Sequence, residues 1–411
     1  MRRSILLLLT GVTIALSQMC LGQPNDQQTV KTLRVNPDYA RGGTVSQLFD
    51  SITYIPLETT KESTFGNIQY LQVSRHYFAF FDYSTKGIFV FDKKGKFIGK
   101  ITKVPGLNDI WELANFVLNP YSEHIYLVYS IWDKHSVTVI SKLAIYKPDG
   151  QLDHQQLFDT TNFNGLNADM YTFIDTTTTL HSVNPDKNPH HTYFVTVKDF
   201  KQPEKYIMPE TKGDPFINPR KSYHRSSTQD GWGFWTRGYD YTFLTSKGEQ
   251  LQAFKMLLPA KISLDSSFYR DSAMMRPGNA ANEFGRKHSK LVTSISQVFR
   301  CGSLQFFTFI MGYYSSIDCS YFYNLSNGNL YNFGKITPDS TNGYLPIVSV
   351  APAAADSNYI YSFMPSFALF SAKEQAADKH PVYSPVMQQY FATENRKSNP
   401  VIVLLKPKKD L

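Results

Sequence analysis

The 411-residue chain is 42% apolar and 18% charged, which gives it ample material for a core and excludes general disorder. Its formal charge of +8 is modest for this length and its lysines are scattered among acids, so the basic stripe that nucleic-acid binding requires is missing. Aromatic residues reach 15%, with 26 Tyr and 30 Phe, and that richness favours β-structure, where flat side chains pack on a pleated surface.

In chain order, residues 1–22 read as a secretory signal peptide. Arg2 and Arg3 precede an apolar run from Ile5 to about Leu16, and small and polar residues follow, with cleavage expected between Gly22 and Gln23. The run is too short and too sharply ended for a membrane span. Cys20 would be the acylated residue of a lipid anchor, but Gln18 and Met19 do not suit that motif. The expected mature chain, 23–411, carries a charge of about +6 once Arg2 and Arg3 are gone. It is expected to be exported to the periplasm or cell surface, with no transmembrane helix.

The segment IQYLQVSRHYFAFFDYSTKGIFVFDKKGKFIGKI (68–101) predicts four short strands, at 68–74, 77–82, 87–92 and 96–101, separated by polar turns. A second copy runs from 295 to 336, and both copies end in GKI. Looser copies occupy 116–157, 171–208 and 223–256. The turn glycines Gly95, Gly150, Gly248 and Gly328 lie 55, 98 and 80 residues apart. The gap of 98 holds two units, the middle one turning near Asp199, and the gap of 80 holds one unit plus an insertion. A four-stranded unit at this period predicts an all-β, six-bladed β-propeller of four-stranded blades. The blades are expected at about 66–103, 112–158, 168–209, 221–257, 292–336 and 345–408, forming one domain. The last is closed by 48–58, so strands from both termini complete the ring and leave no free edge. A helical and loop insertion is expected near 258–291, and 371–395 is expected to be partly helical and to pack on the last blade. Two separate sandwich domains would not explain why both ends carry unpaired strands.

YIPLETT (54–60), FVFDKKGKFIGKI (89–101) and NPVIVLLK (399–406) together resemble the exported six-bladed β-propeller family of Bacteroidota, related in shape to NHL and TolB-type propellers. The chain departs from that family's usual turn after the first blade, keeping only Pro105 and Gly106, and matches its fourth-blade strand only in part, at YDYTF (239–243). The resemblance implies an envelope protein that binds carbohydrate, peptide or a partner protein, without an assigned activity.

Standard catalytic signatures are absent. There is no Gly-x-Ser-x-Gly elbow, no His-Glu-x-x-His helix, no Walker or dinucleotide motif and no calcium loop, so no cofactor or metal is expected. His190 and His191 would point to opposite faces of a strand and suit an exposed turn better than a metal. Asp169, Asp175 and Asp356 lie on or near inner strands, where turn capping accounts for them. Cys301 and Cys319 are placed at opposite ends of one blade, about 20 Å apart by strand length, too far for a disulfide. Two constellations remain as candidate ligand sites. Trp232, Trp235, Arg237 and Tyr239 crowd one blade, where they either fill blade interfaces or offer platforms for sugars and peptides. Arg276, Asn279, Arg286 and His288 mark the insertion, whose cationic end suits anionic ligands. The reading is an exported non-catalytic binding or scaffold protein of the cell envelope. The alternative is a propeller enzyme, a hydrolase or lyase acting on carbohydrate. Asp169, Asp175 or Asp356 meeting His224 or Arg300 would favour the enzyme, and an exposed Trp232 or Trp235 beside the insertion would favour binding.

Overall fold

The computed structural model describes residues 30–106, 115–133, 138–158, 166–209, 223–271, 274 and 279–411, so the signal-peptide and Cys20 expectations lie outside the described residues. Three strands come first: β1 (Lys31–Arg34), β2 (Arg41–Thr44) and β3 (Phe49–Pro56). Six antiparallel four-stranded blades follow. Blade one is β4 (Gln69–Val73), β5 (Tyr77–Asp82), β6 (Gly87–Asp92) and β7 (Phe97–Ile101). Blade two is β8 (Val117–Leu118), β9 (Ile125–Asp133), β10 (Thr138–Tyr146) and β11 (Leu152–Leu157). Blade three is β12 (Leu166–Phe173), β13 (Thr178–Val183), β14 (Thr192–Lys198) and β15 (Gln202–Pro209). Blade four is β16 (His224–Gln229), β17 (Trp232–Thr236), β18 (Thr242–Lys247) and β19 (Gln250–Leu257). Blade five is β20 (Val292–Cys301), β21 (Leu304–Met311), β22 (Ser320–Asn324) and β23 (Leu330–Thr337). Blade six is β24 (Ala354–Ala355), β25 (Ile360–Met364), β26 (Val401–Pro407) and, as its outer strand, β3.

Blade strands are apolar on both faces because each sheet is covered on both sides. Phe78, Phe80, Phe89 and Phe91 pack towards blade six, with Tyr361 and Ile402. The alternate residues Ala79, Phe81, Ile88 and Val90 pack towards blade two, with Leu127 and Ala144. Each buried Phe contributes roughly 2–3 kcal/mol of transfer free energy, so neighbouring blades hold one another in place. The turn glycines Gly95, Gly150, Gly248 and Gly328 all have positive φ, between 59° and 86°, as the tight hairpin turns demand. In blade three Asp199 takes that role without a glycine, at φ 50°. The glycine of GKI answers to packing instead. A Cβ on Gly99 would sit 2.2 Å from the Asp149 carbonyl oxygen of the next blade.

The closure is built by the segments that carry the family resemblance. β3 pairs antiparallel with β26 from Phe49 to Pro56. The buried Asn399 donates from Nδ2 to the carbonyls of Glu58 (2.8 Å) and Ser63 (2.9 Å), and its Oδ1 accepts from the Phe65 amide. Tyr54 donates from its hydroxyl to the Leu345 carbonyl and accepts from Asn342 Nδ2 at 3.0 Å. Glu58 Oε2 accepts from the Phe97 amide at 2.8 Å, tying the closing strand to blade one. These motifs are thus structural.

β1 and β2 were not anticipated. They add in parallel to the outer strands β19 and β23, giving two five-stranded sheets. Helices among the described residues include α1 (Ser266–Arg270) and α2 (Asn279–Lys287) in the insertion and α3 (Ser366–Gln375) and α4 (Pro385–Thr393) in the last blade. The helices of 371–395 are fixed to blade six through Tyr390, which donates to Ser366 Oγ, which in turn donates to the Asn399 carbonyl, each at 2.6 Å.

Candidate functional site

Inner strands run from one mouth of the ring to the other. Their far ends turn directly into the second strands, and those six turns form what we term the turn mouth. At the opposite mouth lie the connections between blades, the insertion and the turns leading into each third strand: the connection mouth. Between them the axis is occupied by protein. β16 touches β4, β12, β20 and β24. Arg225 reaches from β16 to donate to the carbonyls of Tyr171 (2.9 Å), Asn115 and Phe116, so blades two, three and four are joined across the centre. Gln72 of β4 donates to Phe116 O at 2.8 Å and accepts from Leu118 N at 2.9 Å. Inner strands β4, β12, β16 and β20 all carry register shifts. Such bulges re-aim side chains, and two of them hold non-glycine residues at positive φ, Tyr70 at 53° and Gln297 at 49°.

At the connection mouth the first bulge presents Tyr70. Tyr70 is 55% exposed, and its hydroxyl lies 3.0 Å from that of Tyr83, itself 36% exposed. The two rings meet edge to face with centroids 6.3 Å apart. Partial burial, with Tyr83 beside it, pushes the Tyr70 phenol up to about 12, so Tyr70 stays neutral over the physiological range. The adjacent Asp82 is spent on structure, accepting from the amides of Asn67 and Thr85 and from the Thr85 hydroxyl. A shallow groove of about 450 Å³ lies at the same end of blade six, between α3 and Pro338–Pro346.

At the turn mouth, acids cap turns and bridge blades. Asp175 accepts from the amides of Thr177 (2.8 Å) and Thr178 (2.7 Å), and these bonds hold it below the ordinary carboxylate range despite partial burial. Asp356 accepts from the amides of Asn358 and Tyr359 and from the Tyr361 hydroxyl. Asp230, at the end of β16, crosses to blade six and accepts from the Ser357 amide (3.3 Å) and hydroxyl (3.4 Å). Crowding by protein and the neighbouring Asp356 carboxylate raise its pKa. Lys93 projects between blades one and six, its Nζ 4.4 Å from the Phe78 centroid and 4.9 Å from that of Tyr361. Burial lowers its pKa to about 8, against the opposing pull of Asp356, Asp230 and Glu123. Glu123 pairs with His76 at 2.7 Å.

The Asp230 environment gives a pH prediction. A carboxyl that holds its proton more tightly in the folded protein loses stability as the pH rises from the unfolded value, about 3.9, through the folded one. Asp230→Asn keeps an acceptor for Ser357 and is expected to match or exceed the wild type in urea stability at pH 7. That advantage should vanish at about pH 3. A variant weaker than the wild type at pH 7 alone would contradict this assignment.

The DUF4934 family, a domain of unknown function, matches residues 31–406. The chain belongs to that family. A Bacteroides fragilis structure described as a "Putative exported protein" is similar over 93% of this chain and 100% of that one, with TM-score 0.58 and 13% identity, which shows the shared fold. A member of the duf4221 family from Bacteroides vulgatus aligns over 88% of this chain and 98% of that one, at TM-score 0.42 and 10% identity. No curated protein matches the chain.

In this DUF4934 member the residues singled out from the sequence fall in different places. Trp235 is fully buried, donating from its indole to Ser246 Oγ at 3.0 Å and packing edge-on against Phe194 of blade three. Arg237 is buried too, its guanidinium ion-paired to Asp240 at 2.6 Å and lying over Tyr223. Both serve packing, because strand alternation sends them into the interface between blades three and four. Trp232 is half-buried at the turn mouth between Lys247 and Arg300, whose charges lie 5.2 and 5.8 Å from its ring. The insertion is at the other mouth, so Trp232 does not stand beside it. Tyr239 does meet the insertion, its ring 5.3 Å from Phe268 of α1. On α2, Arg286 covers Tyr313 at 5.2 Å, and His288 just beyond it stacks on Phe284 at 4.0 Å. Asn279 begins α2, and Arg276 lies outside the described residues. The carboxylate that joins Asp356 is Asp230, a pairing the sequence reading missed. His190 and His191 sit in an exposed turn. Cys301 and Cys319 form no disulfide, and burial pushes the Cys301 thiol up to about 12. Among the described residues no cluster of His, Cys, Asp and Glu is fit to hold a metal, and no helix is long and apolar enough to cross a membrane.

Proposed function

We propose that this DUF4934 protein is an exported, non-catalytic binding protein of the bacterial envelope that takes carbohydrate at its connection mouth. The observation that carries the reading is the Tyr70–Tyr83 pair. A tyrosine held at φ 53° on a bulged inner strand is a conformation that costs free energy, and here it presents a ring to solvent rather than to the core. Two mutually hydrogen-bonded tyrosines offer an apolar face for a sugar ring and polar tips for its hydroxyls. The adjacent carboxylate, Asp82, is engaged in capping, which supports binding without turnover. Export rests on the N-terminal sequence pattern and agrees with the description of the Bacteroides fragilis relative.

A second reading, a hydrolase or lyase acting on carbohydrate, draws on Asp230, since a carboxyl whose proton affinity is raised beside a second carboxylate, here Asp356, is a usual acid–base device. A glycan array probed with residues 23–411 separates the two. Retention of an oligosaccharide that survives incubation intact supports the binding reading. Conversion of a polysaccharide into shorter products would overturn it.

A further inference from the structure

We infer that Lys93 is a nucleophilic lysine that captures small aldehydes, including open-chain aldoses, as an imine at the turn mouth. The inference is independent of the carbohydrate site proposed above, which lies at the opposite mouth and uses other residues.

Lys93 belongs to the outer hairpin turn of blade one, with its amide fixed to the His76 carbonyl at 3.1 Å. Its side chain does not leave for solvent, as that of the neighbouring exposed Lys94 does. It crosses the blade boundary and lies over Phe78 and Tyr361. There Nζ has neither a hydrogen bond nor an ion pair among the described residues. Some other lysines are paired, Lys100 with Glu62 at 3.2 Å and Lys205 and Lys261 with Glu249 and Asp38. Carboxylates surround Lys93 without closing on it: Asp356 and Asp230 from blades six and four, and Glu123 from blade two. An amine desolvated between rings and left unpaired is the arrangement that makes lysine a nucleophile near neutral pH. With its pKa brought down to about 8, the neutral fraction at pH 7 is a few hundredfold that of an ordinary lysine.

The same mouth supplies acid–base groups. The Asp230 carboxylate, its proton affinity raised by crowding and by Asp356, can relay a proton from the nitrogen to the departing oxygen. The Nζ lone pair attacks the carbonyl carbon and gives a carbinolamine. The Asp230 carboxylate relays one Nζ proton to the oxygen as the carbinolamine forms and the second to the hydroxyl as it leaves as water and the C=N bond forms, so it ends as the carboxylate it began. Amine and aldehyde become imine and water, with no other reactant consumed.

The test uses the intact mature chain, glyceraldehyde as the probe, cyanoborohydride as the trap, and peptide mapping as the readout. At pH 8, Lys93 should acquire label at least about tenfold faster than Lys94 or Lys205. Its rate should fall as the pH drops below about 8, where the amine protonates. Asp230→Asn should slow labelling at Lys93 severalfold and leave Lys94 and Lys205 unchanged, whereas Lys93→Arg should remove the fast phase entirely. Thermal melts of both variants exclude unfolding as the cause. Labelling that merely follows exposure, with Lys94 ahead of Lys93, would overturn the inference, as would an unchanged Lys93 rate in Asp230→Asn.

Discussion

Asn399→Ala is expected to lower the unfolding free energy by about 3 kcal/mol, more than a typical single substitution. The side chain is buried and holds three backbone groups of the N-terminal segment, the carbonyls of Glu58 and Ser63 and the amide of Phe65. Each net hydrogen bond is worth roughly 1 kcal/mol, and stranding the buried partners adds desolvation cost that alanine cannot recover. The contacts join residues about 335 apart in sequence, so their loss loosens the ring where β26 takes β3 as its outer strand. Urea unfolding should show a lower midpoint with an unchanged slope. A loss below about 1 kcal/mol would mean that the closure does not depend on Asn399.

Trp235→Ala is expected to cost about 3–5 kcal/mol, the range for removing a large aromatic from a packed core. The indole is 0% exposed, bonds to Ser246 and packs on Phe194 of the preceding blade. Its removal opens a cavity between blades three and four that the rigid sheets cannot collapse to fill. Trp235→Phe should lose the indole hydrogen bond and some volume, and fall between the two. Ligand binding by folded Trp235→Phe should equal that of the wild type. Weakened binding with retained stability would restore Trp235 as a ligand platform.

Shape was legible in the sequence because its signals are local. Turn glycines at Gly95, Gly150, Gly248 and Gly328 mark positions where only positive φ will close a hairpin, and all four have it. The two-ended last blade followed from strands left over at both termini. β1 and β2 escaped because they are only four residues long and belong to no repeat, joining neighbours more than 200 residues away. Sites were harder to read because they depend on which blades meet. IQYLQVS reads as a regular strand, and nothing local signals that Tyr70 sits on a bulge. Asp230 stands one residue beyond β16, and its partner Ser357 comes from two blades on. Lys93 lies in a polar turn of the kind that normally solvates its lysines, in a hairpin whose sequence suggests scaffold alone. Its destination is set by Tyr361, a residue of the last blade. The tryptophans left two readings open, since richness in aromatic residues does not distinguish an exposed platform from a blade interface. Alternation along β17 was the available signal, and it does place Trp235 inside.

The division of labour between the two mouths is the central claim, and one titration tests it. The best oligosaccharide from the array is titrated calorimetrically into the wild type, Tyr70→Ala and Trp232→Ala. Tyr70→Ala should weaken binding about tenfold, the equivalent of 1.4 kcal/mol, and Trp232→Ala should leave it unchanged. Equal binding by Tyr70→Ala with loss in Trp232→Ala would contradict the account and move the ligand to the turn mouth.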